Sequence, residues 1–426
     1  MLDPHFIREN PERVRTAIRQ KNSGSVELVD RVLELDESYR ACLTELQQNQ
    51  SDANTVSASI GELMRAGKQE AAGEAKSRAA ELKVNIKEKH AEAKTISGEL
   101  NALLLEIPNI PHDSVPEGKG ADDNQVVFET NDKPAFEFEP VPHWDLLDKH
   151  NLVDFDRGSK VTGAGFPFYL GQGARLQRAL VAFFLDLAVK EGGYQEIQPP
   201  YVVNSGSATG TGQLPDKEDQ MYELARDDLF LIPTAEVPIT NFFRDEIIDE
   251  DDLPVKFCAY TPCFRREAGS YGKDVRGLNR IHQFDKVELV QFVHPDLSYE
   301  ALEGLRADAE RALDRLKLPY RRLLMCTGEM GFTQAKKYDL EVWSAGQKKW
   351  LEVSSISNYE AYQARRMKIR YRPKGAVKPT ILHTLNGSGL ALPRIVAALL
   401  ENNQQDDRTI RIPEALVPYT GFDVIG

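Results

Sequence analysis

The chain has 426 residues but only four cysteines, Cys42, Cys258, Cys263 and Cys326, none in C-x-x-C spacing. A zinc site or a disulfide framework is therefore not expected, and a reducing cytoplasmic setting is. Long apolar runs are also lacking. Nothing approaches the roughly 18 residues that span a bilayer. The opening Met1-Leu2-Asp3-Pro4-His5 lacks the apolar stretch of a secretory signal, so no membrane association is expected. No G-x-x-x-x-G-K-[ST] and no strand-embedded G-x-G-x-x-G occurs, which disfavours the common phosphate-loop folds. Positive charge is scarce overall: 53 Lys and Arg stand against 66 Asp and Glu, a net charge of −13. That balance argues against a generally sticky nucleic-acid binder, although it leaves room for local basic patches. Hydrophobic content of 41% and charged content of 28% are ordinary for a globular chain long enough for two or three domains.

What is present begins with a helical lead-in over residues 1–24, where Asn10-Pro11-Glu12 reads as a helix start and Gly24 as a stop. A heptad register follows through Leu28, Val32, Leu35, Tyr39, Cys42, Leu46, Asn49, Ala53, Val56, Ile60 and Leu63. It breaks at Arg65-Ala66-Gly67-Lys68. A second register resumes through Ala72, Ala75, Ala79, Leu82, Ile86, Lys89, Ala93, Ile96, Leu100 and Leu103. Two matched heptad helices around a Gly-containing tip predict an antiparallel hairpin over about 27–104, roughly 50 Å long at 1.5 Å per residue. Such a hairpin is commonly a spacer or an oligomerisation element. Here the returning helix is basic within an acidic chain, with Lys76, Arg78, Lys83 and Lys87 among its cations. That is modest support for a polyanionic partner.

Ile107-Pro108-Asn109-Ile110-Pro111-His112 and the Asp/Gly/Pro-rich run to Asn124 read as a linker. From about 125 the chain reads as one mixed domain. Helices are expected over 175–191 and 296–316. Strands are expected near 196–203, 229–232, 255–261, 286–293, 320–325, 339–343 and 350–355. Most are not separated by full-length helices, so an antiparallel sheet is favoured over a doubly wound parallel one. Between two strand-like runs, Cys263–Glu267 and His282–Val290, lies a polar loop holding Lys273, Arg276 and Arg280, preceded by Arg265 and Arg266. Cations clustered at the base of a hairpin are costly without partners, and a polyphosphate is the simplest one.

Cys263-Phe264-Arg265-Arg266-Glu267, followed by a variable loop and His282-Gln283-Phe284, resembles motif 2 of class II aminoacyl-tRNA synthetases. Gly193–Pro200 resembles motif 1, and Asn386-Gly387-Ser388-Gly389-Leu390-Ala391-Leu392-Pro393-Arg394 resembles motif 3. Each is weak alone, but the three in order over about 200 residues are not. Ile232-Pro233-Thr234-Ala235-Glu236, Asp285-Lys286-Val287-Glu288, Tyr338-Asp339-Leu340-Glu341-Val342-Trp343 and the helical hairpin narrow the resemblance to the bacterial-type seryl-tRNA synthetase family, over essentially the whole chain.

The resemblance implies an α+β fold: an antiparallel two-helix coiled-coil arm (1–107), a linker (108–124) and a class II catalytic domain on an antiparallel sheet (125–426). It implies activation of L-serine with ATP and transfer to tRNA(Ser), with tRNA(Sec) a further acceptor where present. Arg265 would hold the α-phosphate and the serine carboxylate, and Arg394 the γ-phosphate. Arg266, Val353 and Ser354 would join the ATP site. Phe284 would stack on adenine while Glu267 reads its amino group. Glu352 and Ser355 would bind Mg2+. Thr234, Ala235, Glu236, Glu288 and Ser388 would form the serine pocket. Lys273, Arg276 and Arg280 would face the tRNA acceptor end. Motif 1 implies a homodimer. Two departures are visible: Pro393 stands where the family commonly has Gly, and Ile356 where Cys is frequent. Neither removes a charged or ligating residue. A ligase loading a carrier protein should lack the arm, and an inactive paralogue should have lost Arg265, Glu352 or Arg394.

Overall fold

The computed structural model describes residues 1–130, 133–268 and 276–426. They fall into two compact units. One comprises Leu2–Arg19 and Ser23–Pro108. The other comprises Met1, Gln20–Asn22 and Asn109–Gly426.

In the first unit, Glu27–Arg65 and Gln69–Leu105 form the antiparallel pair, joined through Ala66-Gly67-Lys68. Gly67 has φ +73°, a left-handed conformation that a β-carbon would strain. Every residue of both heptad registers is buried or half-buried, whereas Lys76, Arg78, Lys83 and Lys87 are exposed. Lys89, a cation at a seam position, lies between Glu45 (2.6 Å) and Glu92 (2.9 Å). These pairs keep its charge satisfied while its stem covers the seam.

The second unit is built on an eight-stranded sheet. Its strands are β1 (Gln125–Glu129), β2 (Gln195–Glu196), β3 (Val255–Phe264), β4 (Gln283–Val293), β5 (Tyr320–Leu324), β6 (Lys336–Ser344), β7 (Lys349–Asn358) and β8 (His383–Ala391), in the spatial order β1-β5-β6-β7-β8-β4-β3-β2. All neighbours are antiparallel except β2 with β3. Helices Gly171–Lys190, Ser298–Arg315 and Leu392–Asn402 bury their apolar sides against one face, meeting Val287, Leu289, Leu340, Val342, Val353 and Leu385. Alternate residues on β4 therefore point the other way, where the site forms.

The strand-like run from Cys263 leaves the sheet at Phe264, and Glu267 turns at φ +50°. The segment after Pro108 is tied down. Asn109 Nδ2 donates to Thr333 O (3.0 Å) and Tyr359 O (2.9 Å), and His112 N to Ala335 O (2.8 Å).

The seam assignment yields a test. Leu82 is 1% exposed and Val84 is 56% exposed. Leu82→Ala is expected to cost about 2–5 kcal/mol in urea unfolding of the helical hairpin. Val84→Ala should cost less than about 0.5 kcal/mol. Equal effects would refute the register.

Candidate active site

Antiparallel pairing of β3 and β4 sets the site. Phe284 faces Cys263, Lys286 faces Thr261 and Glu288 faces Ala259. Phe284, Lys286 and Glu288 thus share one face, at steps of two. On the other side of β4, Glu288 lies opposite Ser388 of β8. The pairing extends past the strand end through Arg265 N to His282 O (2.9 Å). This brings the Arg265 guanidinium over the Phe284 ring at 5.2 Å from its centroid, with Nε donating to Pro233 O at 3.2 Å.

An irregularity on the far side is equally consequential. In β6 and β7, Leu340 faces Ser354 while Glu341 faces Glu352, so Val353 is an extra residue. In a regular strand Glu352 and Ser355 would point to opposite faces. The bulge puts them on one face with Asp339, which lies opposite Ser355.

A cavity of about 560 Å³ opens over this face. Its wall includes Arg265, Glu267, Phe284, Glu352, Val353, Ser354, Ser355 and Arg394 at one end and Thr234, Glu236, Glu288 and Ser388 at the other. Of the residues expected from sequence, Ala235 is instead wholly buried in an apolar cluster below. Arg266 is exposed, and its backbone N–H bonds Gln220 O at 2.9 Å. Ser354 spends its hydroxyl on Ser388 O at 2.6 Å. Arg280 lines the wall and pairs with Glu267 at 2.7 Å. Arg276 rests on the Trp144 ring at 4.8 Å. Lys273 lies outside the described residues.

Arg394 follows Pro393 in the first turn of helix Leu392–Asn402. Its Nε donates to Asn279 O (3.1 Å) and Nη1 to Glu352 O (2.7 Å). The guanidinium is held by two carbonyls that cannot neutralise it. Its charge remains available to an anion.

The opposite end is carboxylate-rich. Lys286 Nζ bridges Glu288 Oε2 (2.6 Å) and Thr234 Oγ1 (2.7 Å), all three buried. Glu236 accepts from Gln363 Nε2 at 2.7 Å. Burial, then the nearby Glu288 carboxylate, pushes the Glu236 carboxyl above its ordinary range. Lys286, Gln363, Tyr359 and Asn386 were not among the sequence candidates. Lys286 was legible in principle, since it lies midway between Phe284 and Glu288 on one strand face. Gln363 and Tyr359 belong to no local pattern.

Near Glu352 the charges oppose. Enclosure raises its pKa, but Lys337, Arg394, Arg265 and Arg280 more than offset this and hold it below the usual range. Asp339, buried beside Lys337 (3.0 Å), is pushed up by burial, and the nearby Glu352 carboxylate adds to the rise. One of the Asp339 oxygens, Oδ1, has no partner among the described residues. The Glu352 carboxylate, the Ser355 hydroxyl and that unpartnered oxygen are hard donors suited to a divalent cation. Among the described residues no three His, Cys, Asp or Glu gather to hold a metal ion. Two protein ligands plus substrate phosphates is the arrangement Mg2+ favours.

Residues 221–403 match the family described as tRNA synthetase class II core domain (G, H, P, S and T), and residues 1–111 match the seryl-tRNA synthetase N-terminal domain. The serine–tRNA ligase of Salinibacter ruber is 61% identical over all of this chain and 99% of its own length. That of Carboxydothermus hydrogenoformans is 49% identical over the same shares. The chain belongs to the seryl-tRNA synthetase family. The solved seryl-tRNA synthetase of Pyrococcus horikoshii, complexed with ATP, superimposes with a TM-score of 0.92 at 36% identity, covering 100% of this chain and 99% of that one. The Naegleria fowleri enzyme with AMP gives 0.87 at 30% identity, covering 100% and 98%. Membership makes the chain a class II ligase on the expected mixed fold with a helical arm. No helix among the described residues is long and apolar enough to cross a membrane.

The buried ion pair yields a test. Lys286→Met leaves Glu288 without its cation beside Glu236. A loss of about 3–5 kcal/mol in chemical denaturation is expected. A loss below about 1 kcal/mol would show that the pair is not closed in solution.

Proposed function

We propose that the chain activates L-serine with ATP to seryl-adenylate and diphosphate, then transfers the seryl group to the 3′-terminal ribose of tRNA(Ser), and of tRNA(Sec) where that tRNA exists. One observation carries the reading. A single strand face presents a cation-and-aromatic end and a carboxylate-and-hydroxyl end to one cavity.

In the first step a serine carboxylate oxygen attacks the α-phosphorus and the bond to the diphosphate oxygen breaks. No enzyme nucleophile is needed, only positioning and stabilisation of charge at phosphorus. Arg265, planar and two-pronged, holds the α-phosphate and the serine carboxylate together. It lies 5.2 Å from the centroid of the Phe284 ring, on which adenine stacks. Glu267 reads the adenine amino group, with Arg266, Val353 and Ser354 contributing from the wall or rim. Arg394 holds the γ-phosphate. Mg2+, held by Glu352 and Ser355, would neutralise phosphate charge.

The ammonium of serine meets Glu236 and Glu288, in a pocket lined by Thr234, with Ala235 packed in the apolar cluster beneath it. Ser388 lies within the wall beside the substrate hydroxyl. A pocket built to bond a hydroxyl leaves its own polar groups unpaired with alanine. The exposed cations Lys76, Arg78, Lys83 and Lys87 of the arm meet the tRNA backbone, and Lys273, Arg276 and Arg280 its acceptor end. Backbone contacts of this kind read shape more than sequence. The remaining assignments are a cytoplasmic homodimer with Mg2+ on ATP and no zinc, divided into arm (1–107), linker (108–124) and catalytic domain (125–426).

ATP–pyrophosphate exchange with serine, threonine, alanine and glycine tests the reading. Exchange is expected with serine, and alanine should be poorer by at least about 10³-fold in kcat/KM. Absence of serine-dependent exchange would sink the proposal. Removal of residues 30–100 should leave that exchange within about twofold while abolishing tRNA charging. Undiminished charging would refute the arm's role.

A further inference from the structure

A second buried polar pair, His143 with Glu401, lies outside the cavity wall and touches none of the expected substrate groups. His143 opens helix His143–Lys149, and Glu401 lies in the last turn of helix Leu392–Asn402. Both are 0% exposed. Glu401 Oε1 accepts from His143 Nδ1 (2.8 Å), from the His143 backbone N–H (2.9 Å) and from Gln347 Nε2 (3.0 Å). Oε2 accepts from Gly346 N (3.0 Å) and from the Ser344 hydroxyl. His143 leads, with Ser344 following, in holding this carboxyl below its usual range against the cost of burial. An ionised carboxylate only accepts, so Nδ1 carries the ring proton. The remaining ring nitrogen, Nε2, accepts from the backbone N–H of Leu278 at 2.9 Å.

Leu278 is where the chain re-enters from the loop between β3 and β4. The approach is so close that a β-carbon on Gly277 would lie 2.4 Å from Nε2. The next residue, Asn279, donates its side chain to Gln347 Oε1 at 2.8 Å and accepts from Arg394 Nε at 3.1 Å through its carbonyl. Arg394 and Glu401 are on one helix, seven residues apart and so on nearly the same side. The returning chain is thus tied to that helix twice, once through His143 to Glu401 and once through Asn279 O to Arg394. Trp144, next to His143, adds a third hold through Arg276.

We infer that His143, oriented by Glu401, is a positioning residue for nucleotide binding: it fixes Leu278–Asn279 and through them the aim of Arg394. This rests on Arg394 meeting the γ-phosphate. A pair that only filled the core would contact apolar neighbours on every side. Here both ring nitrogens are spent, and one is spent on the loop. Without the acceptor at Nε2, the Leu278 N–H is left buried and unbonded, and the loop end moves to find another partner. Arg394 loses the carbonyl that orients it.

Exchange kinetics of His143→Ala and Gln347→Ala, with ATP and serine varied separately, test the inference in the full chain. Wild-type exchange establishes the underlying reading independently. In His143→Ala the KM for ATP should rise at least about tenfold and that for serine should stay within about twofold. Gln347→Ala keeps His143 and Glu401 and should raise only the ATP KM, by a smaller factor. His143→Gln, which can again offer an acceptor to Leu278 N, should recover part of the loss. Should His143→Ala not fold, the ATP-only effect of Gln347→Ala decides alone. Equal changes in both KM values, or none in either alanine variant, would overturn the inference.

Discussion

The antiparallel register of β3 against β4 is the constraint on which the rest depends. It places Phe284, Lys286 and Glu288 on one face and carries Arg265 over Phe284. A shift by one residue would turn all three side chains into the apolar core beneath the helices. That penalty explains why the register is firm. Val287 and Leu289, the alternating partners, are buried at 0% and 2% exposure and would have to face the cavity.

Charge is arranged around this register. Arg265, Arg280 and Arg394 gather around Glu267 and Glu352 near Phe284, while Glu236 lies beside Glu288 farther along the strand. Lys286 lies between Phe284 and Glu288, and without it Glu288 and Glu236 would repel across a buried space. Arg394 donates to two carbonyls, which orient its guanidinium, and the Glu352 carboxylate lies close enough to feel its charge. The overall acidity of the chain is compatible with this, because the cations that matter are local.

Much of this was legible in the sequence. The heptad registers matched the packed seam residue by residue because a period near 3.5 has one geometric solution. The hairpin that carries Arg265, Phe284 and Glu288 was visible as two strand-like runs around a cationic loop. Other parts were not. Asn386-Gly387-Ser388-Gly389 has poor strand composition, yet β8 is held between β4 and β7, and tertiary pairing overrides propensity. The bulge at Val353 changes which of Glu352 and Ser355 face the site, and nothing in the local sequence announces it. His143 and Glu401 are 258 residues apart and meet only through the fold.

The central claim is that one strand face holds both the nucleotide and the amino acid. A crystal structure with a non-hydrolysable sulfamoyl analogue of seryl-adenylate tests it most directly. Difference density should place adenine on Phe284, the sulfamoyl group at Arg265 and the seryl ammonium between Glu236 and Glu288. Density for the seryl group away from Glu236 and Glu288, or for adenine away from Phe284, would contradict the account.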